Sequence, residues 1–370
     1  MKEVNKSTKI CFVSLKAYPL FNPEIKSTFG GAEVQLTLLS KELAKKKELD
    51  IYFIVADYGQ EEKETYDGVK VWKGLNFKDN KLKQVLDFFK IFNKVNADVY
   101  VQRTLTVESG LIALYCKLRK KKFVYMVAHD SEADGTHRLY GSKLKGYIAS
   151  LVFKYAGIVF VQNEYQNSNL RNNIGGSRLI TLSSSWLSSH NETEISKDII
   201  LWVGRSESWK RPEIFINLAQ RFPKEYFVMI CPEATDSPDY FIEIKKKADR
   251  IKNLKFIDFV PFDKIDNYFK KAKIYVITSE KEGFANSLIQ ATREGTPILS
   301  LKVNPNNFID KHECGFVCND SQEVLEKKCE RLLRDKNLYD RLSVNAKEYF
   351  VKTHDITVNA NKFLKYINER

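Results

Sequence analysis

One segment of the chain combines the residue types that bind a phosphate group and a sugar hydroxyl. Gly283 and Asn286 follow an apolar run, Ile274–Thr278, and stand where a helical pattern begins. Backbone N–H groups at the start of a helix have no partner within the helix, so they bind anions such as phosphate. Glu282 lies beside that helix start and offers a carboxylate that accepts hydrogen bonds from sugar hydroxyls. The alternative is an ordinary strand, loop and helix with an exposed glutamate.

Two cations stand at the end of another apolar run. Val203 and Gly204 close a predicted strand, Arg205 follows them, and Lys210 precedes Pro212, which opens a helix. Cations at the ends of strands and helices can hold a diphosphate and stabilise the charge that it gains as it leaves. The other interpretation is ordinary surface charge, since the chain contains 60 Lys and Arg residues.

Two weaker signals lie in the first half of the chain. Gly30 and Gly31 precede a helical pattern, and paired glycines let the backbone approach a ligand closely. Their spacing is not G-x-G-x-x-G, so the dinucleotide fingerprint is excluded. His129 ends an apolar strand, where an imidazole could hydrogen-bond a sugar hydroxyl or a transferring group. A structural histidine is the alternative.

The spacing of soft ligands and carboxylates does not indicate a metal site. His312, Cys314 and Cys318 are clustered, but they lack the second ligand pair that a zinc site needs. Glu280 and Glu282 lie one residue apart on a loop, and we do not interpret them as metal ligands. We therefore predict no metal ion. Cysteines in or beside apolar segments are predicted to be buried thiols of a reducing compartment, namely Cys11, Cys116 and Cys231.

Short apolar runs alternate with amphipathic helical patterns along the chain. This alternation predicts parallel strands joined by crossover helices. Small polar residues interrupt it between 183 and 197, as expected of a linker. We predict two Rossmann-like, doubly wound α/β domains that face a cleft, at residues 1–185 and 197–352, with a linker at 186–196. The predicted strands are Ile10–Leu15, Ile51–Ala56, Val69–Trp72, Val99–Val101, Phe123–Ala128, Ile158–Gln162, Leu179–Leu182, Ile199–Val203, Tyr226–Ile230, Leu254–Ile257, Ile274–Thr278, Pro297–Leu301 and Gly315–Val317.

The composition is that of a folded domain pair with a basic first half. Hydrophobic residues make up 43% and charged residues 29% of the 370 residues, close to globular averages. The formal net charge is +13, and residues 81–154 carry 14 basic against 6 acidic side chains. Such a patch attracts a polyanion: nucleic acid, an anionic membrane surface or a phosphorylated substrate. A solvated, lysine-rich surface is the alternative.

The apolar runs are too short to span a bilayer, which takes about 20 residues. The run at Ile10–Leu15 has no small-residue cleavage site after it, so we do not expect a signal peptide. A cytoplasmic protein is the expectation from these features.

Four segments of the chain, in their order along it, resemble motifs of the retaining, nucleotide-sugar-dependent glycosyltransferases of the GT-B fold, in glycosyltransferase family four. Phe29–Glu33 resembles the first glycine loop of the family, and Val161–Gln166 resembles a segment that precedes its linker. Val203–Arg205 with Lys210 resembles its diphosphate clamp, and Glu282–Phe284 resembles the start of its E-x7-E motif. The resemblance covers nearly the whole chain.

The resemblance implies roles by position. His129 is expected to contact the transferred sugar near its anomeric carbon, and Glu282 to hold sugar hydroxyls. Arg205 and Lys210 are expected to neutralise the leaving nucleoside diphosphate. The implied donor-binding residues are Gly30, Gly31 and Gly204; Val260 for the base; Gly283, Phe284, Ala285, Asn286, Ser287 and Leu288 for the sugar and phosphate; and Gln290 for the ribose.

Gln290 departs from the family pattern. The second glutamate of E-x7-E would fall at this position, which is expected to hold the ribose hydroxyls. An amide both donates to and accepts from hydroxyls, so binding can survive the change. The loss is one charge-assisted hydrogen bond of about 1 to 2 kcal/mol, or about tenfold in donor affinity. The identity of the donor stays open.

The resemblance implies transfer with retention, by attack on the same face of the sugar, with the leaving phosphate helping to deprotonate the acceptor. Neither a metal ion nor a cofactor is expected, and the donor is a UDP or GDP sugar. The acceptor is expected to be a saccharide or a lipid-linked saccharide of polysaccharide or glycolipid biosynthesis. The final helix, at 355–370, is expected to pack back on the first domain. Basic helices around Lys117–Lys122 and Arg138–Lys154 lie in the acceptor half, so we expect a peripheral contact with the inner face of an anionic membrane.

Three other functions stay open on the sequence. Gln290 would suit a non-catalytic relative that binds a nucleotide sugar or partners another transferase. A nucleotide-sugar epimerase could share a two-domain fold, and it would turn over a donor without any acceptor. The net charge of +13 would suit a nucleic-acid-binding protein, but the chain lacks an aromatic-rich basic motif and a helix-turn-helix signature. Nucleic acid is therefore not an expected partner.

Overall fold

The computed structural model describes residues 7–136, 143–171, 176–188, 195–234 and 238–369. The chain divides into two compact units. The first contains Met1–Leu187 and Ile356–Arg370, and the second contains Ser188–Asp355. Part of the predicted linker at 186–196, the start of the predicted basic helix at Arg138, and the first six residues lie outside the described residues.

The first unit is built on a sheet in which eight strands are described, in the order β3-β4-β2-β1-β5-β6-β7-β8. Its pairs are parallel except β3 with β4, which is antiparallel. Most of the apolar runs predicted as strands are buried here, as a parallel sheet covered on both faces requires, whereas no residue of the edge strand β8 is fully buried. The strands are β1 (Thr8–Val13), β2 (Leu49–Val55), β3 (Lys63–Tyr66), β4 (Val69–Lys73), β5 (Val99–Arg103), β6 (Lys122–Met126), β7 (Ile158–Val161) and β8 (Arg178–Thr181).

Helices cover both faces of this sheet, and one pair approaches very closely. A Cβ atom on Gly110 would lie 1.8 Å from the Ile148 carbonyl oxygen, so only glycine lets the third and fifth helices pack at this point. The helices that precede β8 in the sequence are α1 (Gly31–Ala44), α2 (Lys81–Val95), α3 (Val107–Leu118), α4 (Asp130–Ala133), α5 (Lys143–Tyr155) and α6 (Glu164–Leu170).

The second unit has a parallel sheet with six described strands, in the order β11-β10-β9-β12-β13-β14. These strands are β9 (Ile199–Val203), β10 (Tyr226–Ile230), β11 (Leu254–Ile257), β12 (Ala272–Ile277), β13 (Ile298–Ser300) and β14 (Gly315–Val317). The helices are α7 (Pro212–Arg221), α8 (Pro238–Ala248), α9 (Phe262–Lys271), α10 (Asn286–Arg293), α11 (Phe308–Lys311), α12 (Gln322–Arg334) and α13 (Lys336–Thr353). The predicted doubly wound α/β class is confirmed.

The last helix, α14 (Ile356–Asn368), belongs to the first unit. Phe363 is buried between Phe12 of β1 and Phe160 of β7, with ring centroids 6.4 and 5.5 Å away. The backbone N–H of Ile356 donates to the Trp186 carbonyl oxygen over 3.1 Å. The chain therefore leaves the first unit after Leu187 and re-enters it at a point beside its exit.

Among the described residues, no helix is both long enough and apolar enough to cross a bilayer.

Candidate functional site

The loops after β9 and β12 are tied together at the carboxyl edge of the second sheet. Trp202 donates from Nε1 to Thr278 Oγ1 over 2.9 Å, and the Thr278 hydroxyl donates to the Lys210 carbonyl oxygen over 2.6 Å. Arg211 donates from Nε to the Thr278 carbonyl oxygen over 2.9 Å. β9 and β12 are neighbours in the sheet. The chain continues from β9 to β10, towards one edge of the sheet, and from β12 to β13, towards the other edge. Ligands of doubly wound folds bind at such a switch point.

Two of the predicted catalytic residues are in direct contact here. Lys210 Nζ lies 2.6 Å from Glu282 Oε1, and the two side chains are only 17% and 12% exposed. Ser279 donates from Oγ to the same carboxylate oxygen over 2.9 Å. The Lys210 ammonium also lies over the Trp209 ring, 4.3 Å from its centroid. Each charge of the pair is thus held by the other and by a polar or aromatic neighbour.

Gly204 makes room for this arrangement. A Cβ atom at this position would lie 2.9 Å from Cδ of Lys210 and 3.0 Å from Cη2 of Trp202. Contacts this short do not occur between relaxed side chains, so any other residue would displace the Lys210 stem. Gly204 therefore leaves the space that the Lys210 stem occupies.

Arg205 is exposed on the loop that follows Gly204. The next residue, Ser206, is buried and anchors that loop, because its Oγ accepts from the Ala234 N–H over 2.9 Å and its own N–H donates to the Pro232 carbonyl oxygen over 2.9 Å. The guanidinium is therefore carried on a fixed backbone at the carboxyl edge of the sheet, where it can reach an anion from solvent.

The start of α10 is suited to an anion. Its N-cap, Ala285, contributes no side-chain hydrogen bond, and the first turn contains no acidic residue. Phe284 fixes the preceding loop by packing its ring 5.2 Å from Phe308 and 4.6 Å from His354, measured between centroids. The predicted sugar- and phosphate-binding residues, Gly283–Leu288, thus lie at the positive end of a helix dipole whose first turn contains no carboxylate.

Gln290, expected to hold the ribose, is buried and bonded to another helix. Its Nε2 donates to Asp266 Oδ1 on α9 over 2.9 Å. Arg293 Nη1 lies 2.8 Å from Asp266 Oδ2, and Arg293 Nε lies 2.7 Å from Glu294 Oε1. Sequence reasoning missed Asp266 and Arg293, since only the packing of α9 on α10 brings them together. Val260, expected to contact the base, is half-buried in the loop between β11 and α9.

Gly30 and Gly31, in the first unit, form the N-cap and first residue of α1. The Gly30 N–H donates to Glu33 Oε2 over 2.8 Å, and Ser14 Oγ lies 3.5 Å from the other carboxylate oxygen. A carboxylate therefore already neutralises this helix start, which makes it a weaker anion site than the start of α10.

His129 is exposed at the carboxyl end of β6, where it is the N-cap of α4. The segment after β7 holds its loop in place. Gln162 donates from Nε2 to the carbonyl oxygens of residues 127 and 128, over 3.0 and 2.8 Å. The amides of Asn163 and Gln166 each donate to Asp130 Oδ1 over 2.9 Å. The sequence indicated this segment only by resemblance, whereas the structure gives it a positioning role.

Buried charged residues lie at the carboxyl edge of the first sheet, the edge at which His129 lies. Arg103, at the end of β5, donates from Nη2 to Ser184 Oγ over 3.0 Å, and burial lowers the pKa of its guanidinium to about 10. Tyr125 donates its hydroxyl to Glu132 Oε2 over 2.6 Å, and burial, with Glu132 second, raises the pKa of this phenol. Charged residues at the end of apolar strands were the signal that could have identified this network.

The described residues contain no group of three or more His, Cys, Asp or Glu that could hold a metal ion. The cysteines are all buried and unpaired, and burial raises the pKa of each thiol, which keeps the thiols protonated and unreactive.

The second unit is similar to a known protein family. The profile of the family described as "Glycosyl transferases group 1" matches residues 188–349, nearly the whole second unit. Residues 188–349 of the chain are thus similar to the group 1 glycosyltransferases. This match agrees with the predicted family and enzyme class, glycosyltransferase.

Curated relatives of the chain are distant. It is 26% identical over 143 residues to "Glycosyltransferase 1 domain-containing protein 1" of Xenopus tropicalis, which covers 38% of the chain and 41% of the relative. The first three relatives are matched over only 41%, 43% and 43% of their own length. The O-antigen biosynthesis glycosyltransferase WbnH of Escherichia coli is 23% identical over 88% of the chain and 93% of its own length.

Solved structures share the fold over almost the whole chain. Sucrose-phosphate synthase from Thermosynechococcus elongatus superposes with a TM-score of 0.76 at 15% identity, over 97% of this chain and 98% of that one. Anabaena HepE in complex with UDP and glucose gives a TM-score of 0.71 at 15% identity, over 97% and 99%. At this identity the likeness shows the fold alone, and it confirms the predicted GT-B architecture.

Proposed function

We propose that the chain is a retaining glycosyltransferase that moves a sugar from a nucleoside-diphosphate sugar to a saccharide or lipid-linked saccharide. One observation carries the proposal. Lys210 and Glu282 form a largely buried ion pair at the switch point of the second sheet, beside the start of α10, whose first turn contains no acidic residue. The donor is a UDP or GDP sugar. UDP is the first nucleotide to test, because a protein of the same fold was solved in complex with UDP and glucose.

The second unit supplies the groups that a leaving diphosphate needs. We assign the positive dipole end at the start of α10 to a phosphate, and the cations of Arg205 and Lys210 to the charge that develops on the diphosphate. When the diphosphate attracts Lys210, the Glu282 carboxylate is released to accept from sugar hydroxyls. These fixed cations and dipoles supply the positive field without a metal ion.

In the first unit, we assign His129 to a sugar hydroxyl. Its loop is fixed by Gln162 and by the amides that hold Asp130, so the imidazole is presented in one place at the carboxyl edge of its own sheet. Gly30 and Gly31 allow a close backbone approach there, and their helix start, capped by Glu33, suits a neutral sugar better than a phosphate.

Thermal denaturation with nucleotides tests the donor site. At one hundred times its dissociation constant, UDP should stabilise the wild type by about 2.7 kcal/mol, a rise of several degrees in the unfolding temperature. The rise should be lost in Arg205→Ala and kept in Arg221→Ala, a matched control whose side chain is 69% exposed and lies on α7. Screening UDP, GDP, ADP and CMP identifies the base. If none of them raises the unfolding temperature, the proposal is refuted.

A non-catalytic relative is the alternative that Gln290 supports. It would bind UDP without consuming a UDP sugar in the presence of acceptors. A transferase consumes the sugar only with an acceptor, whereas an epimerase converts it without one. Measuring donor consumption with and without lipid-linked and free saccharides separates the three. The name of the E. coli relative directs the first acceptors to those of O-antigen synthesis.

We also propose that the first unit contacts an anionic membrane surface. Exposed apolar side chains stand on α2, where Leu82 and Leu86 are 72% and 62% exposed, and on α5, where Leu144 and Tyr147 are 66% and 64% exposed. Residues 81–154 carry 14 basic against 6 acidic side chains. Apolar groups amid cations suit the interface of an anionic bilayer.

Sedimentation with vesicles tests this contact. The protein should pellet with phosphatidylglycerol vesicles at low salt and stay in solution with phosphatidylcholine. Leu82→Asp with Leu86→Asp should weaken the binding several-fold, whereas Val344→Asp on α13, a residue 57% exposed in the second unit, should not. Equal recovery in the supernatant with both lipids would exclude the contact.

A further inference from the structure

We propose that the carboxylate for the ribose hydroxyls is carried by Asp266 on α9 rather than by residue 290. This inference rests on the proposed function, because it names a residue of the same donor site. Residue 290 can then be a glutamine instead of a glutamate, because Asp266 already provides the negative charge for the ribose. The departure from E-x7-E would be a transfer of the charge from one helix to its neighbour, and not the loss of a ligand.

Exposure is the first argument. Gln290 is 4% exposed and the Arg293 side chain 3%, whereas the Asp266 side chain is 32% exposed. A ligand in solution therefore meets the Asp266 carboxylate, and Gln290 and Arg293 lie behind it. Each carboxylate oxygen has two acceptor positions and Asp266 uses one on each for the protein, so acceptors remain for two hydroxyls.

Position in the fold is the second argument. α9 begins directly after the loop of Val260, the expected place of the base, and α10 begins at Asn286, the expected place of the phosphate. Asp266 is in the second turn of α9 and faces Gln290, one turn beyond Asn286 on α10. In a nucleotide, the ribose joins the base to the phosphate. The carboxylate thus lies between the two groups that flank a ribose.

Electrostatics is the third argument. Gln290 Nε2 lies 2.9 Å from Asp266 Oδ1. A glutamate at 290 would place two carboxylates at hydrogen-bond distance, and like charges this close strongly disfavour each other. Arg293 cannot relieve both, since it is already shared between Asp266 and Glu294. Glutamine at 290 and aspartate at 266 are therefore a matched pair.

The experiment compares UDP with 2′-deoxy-UDP and 3′-deoxy-UDP, by calorimetric titration of the full chain, or the GDP series if GDP is the nucleotide that binds. The wild type should prefer the ribonucleotide to at least one deoxy analogue by about tenfold, the contribution of one charge-assisted hydrogen bond. Asp266→Asn should reduce this preference to about twofold or less. Asp263→Asn, one turn earlier on the same helix and exposed, removes an equal charge and should leave it unchanged.

Variants at residue 290 make the test sharper. Gln290→Glu alone should weaken UDP binding about tenfold, and Asp266→Asn combined with Gln290→Glu should restore both the affinity and the preference. If Asp266 only holds α9 to α10, Asp266→Asn will lower the unfolding temperature and weaken all three nucleotides equally. That result, or tighter UDP binding by Gln290→Glu, overturns the inference while the proposed function stands. A wild type that binds neither UDP nor GDP overturns both.

Discussion

The ion pair of Lys210 and Glu282 should behave as a coupled unit in unfolding experiments. Lys210→Met keeps the length of the stem, and Glu282→Gln keeps an oxygen that accepts from Ser279. Exposed ion pairs contribute about 0.2 to 1 kcal/mol, whereas breaking a buried pair by removing one partner costs about 3 to 5 kcal/mol. The side chains are 17% and 12% exposed, so this pair lies between the two classes, and we expect a coupling energy of about 2 kcal/mol.

A double-mutant cycle measures this energy. Each single variant should lower the unfolding temperature of the second unit by roughly 4 to 8 °C, at about 2 to 4 °C per kcal/mol for a unit of this size. The double variant should lose less than the sum of the two, because it leaves no charge without a partner. The contact of Lys210 with the Trp209 ring is lost in both variants that lack the ammonium, so it cancels. A coupling energy below about 0.5 kcal/mol would show that the pair is worth no more than an exposed one, and would refute the reasoning.

Three further substitutions test packing and charge. Gly204→Ala should weaken UDP binding several-fold in titrations, because its Cβ atom displaces the Lys210 stem; unchanged affinity would contradict this. Gly110→Ala should lower the unfolding temperature of the first unit by several degrees, since its Cβ atom meets backbone, whereas Gly146→Ala, in an open part of α5, should raise it slightly. Burial lowers the pKa of Lys197 to about 8 from 10.5, so the folded state releases a proton that the unfolded state keeps, and stability should rise between pH 8 and 10.5. Lys197→Met should lack this rise in urea unfolding across that range, and an identical slope would contradict the buried ammonium.

The strands and helices that bury apolar side chains were predictable from the sequence. Short apolar runs are typical of buried strands when they alternate with amphipathic helices. Two examples are Ile199–Val203 and Tyr226–Ile230. The edge strand β3 (Lys63–Tyr66) was missed because it has no apolar run and is a strand only through its hydrogen bonds with β4. The short helices α4 and α6 were missed for a related reason, since four and seven residues give too little periodicity.

The candidate site was predictable as a set of loops but not as a set of contacts. Glycines, cations and a carboxylate after apolar strands indicated which loops matter, because the carboxyl ends of parallel strands share one edge. The sequence could not show that Lys210 meets Glu282, since loop geometry decides that contact. It also suggested a missing ligand at Gln290, whereas the structure places an aspartate against that amide, 24 residues away along the chain.

The return of the chain to its first unit has a consequence for biosynthesis. During translation, the ribosome completes all of residues 188–355 before it makes α14. Until then Phe12 and Phe160 lack the ring of Phe363, and the apolar face that α14 covers is open to solvent or to chaperones. The second unit is continuous in sequence and can fold first, although it is made later. The order of folding would then be the reverse of the order of synthesis, and a released chain truncated before residue 356 should show a protease-resistant second unit beside a protease-sensitive first one.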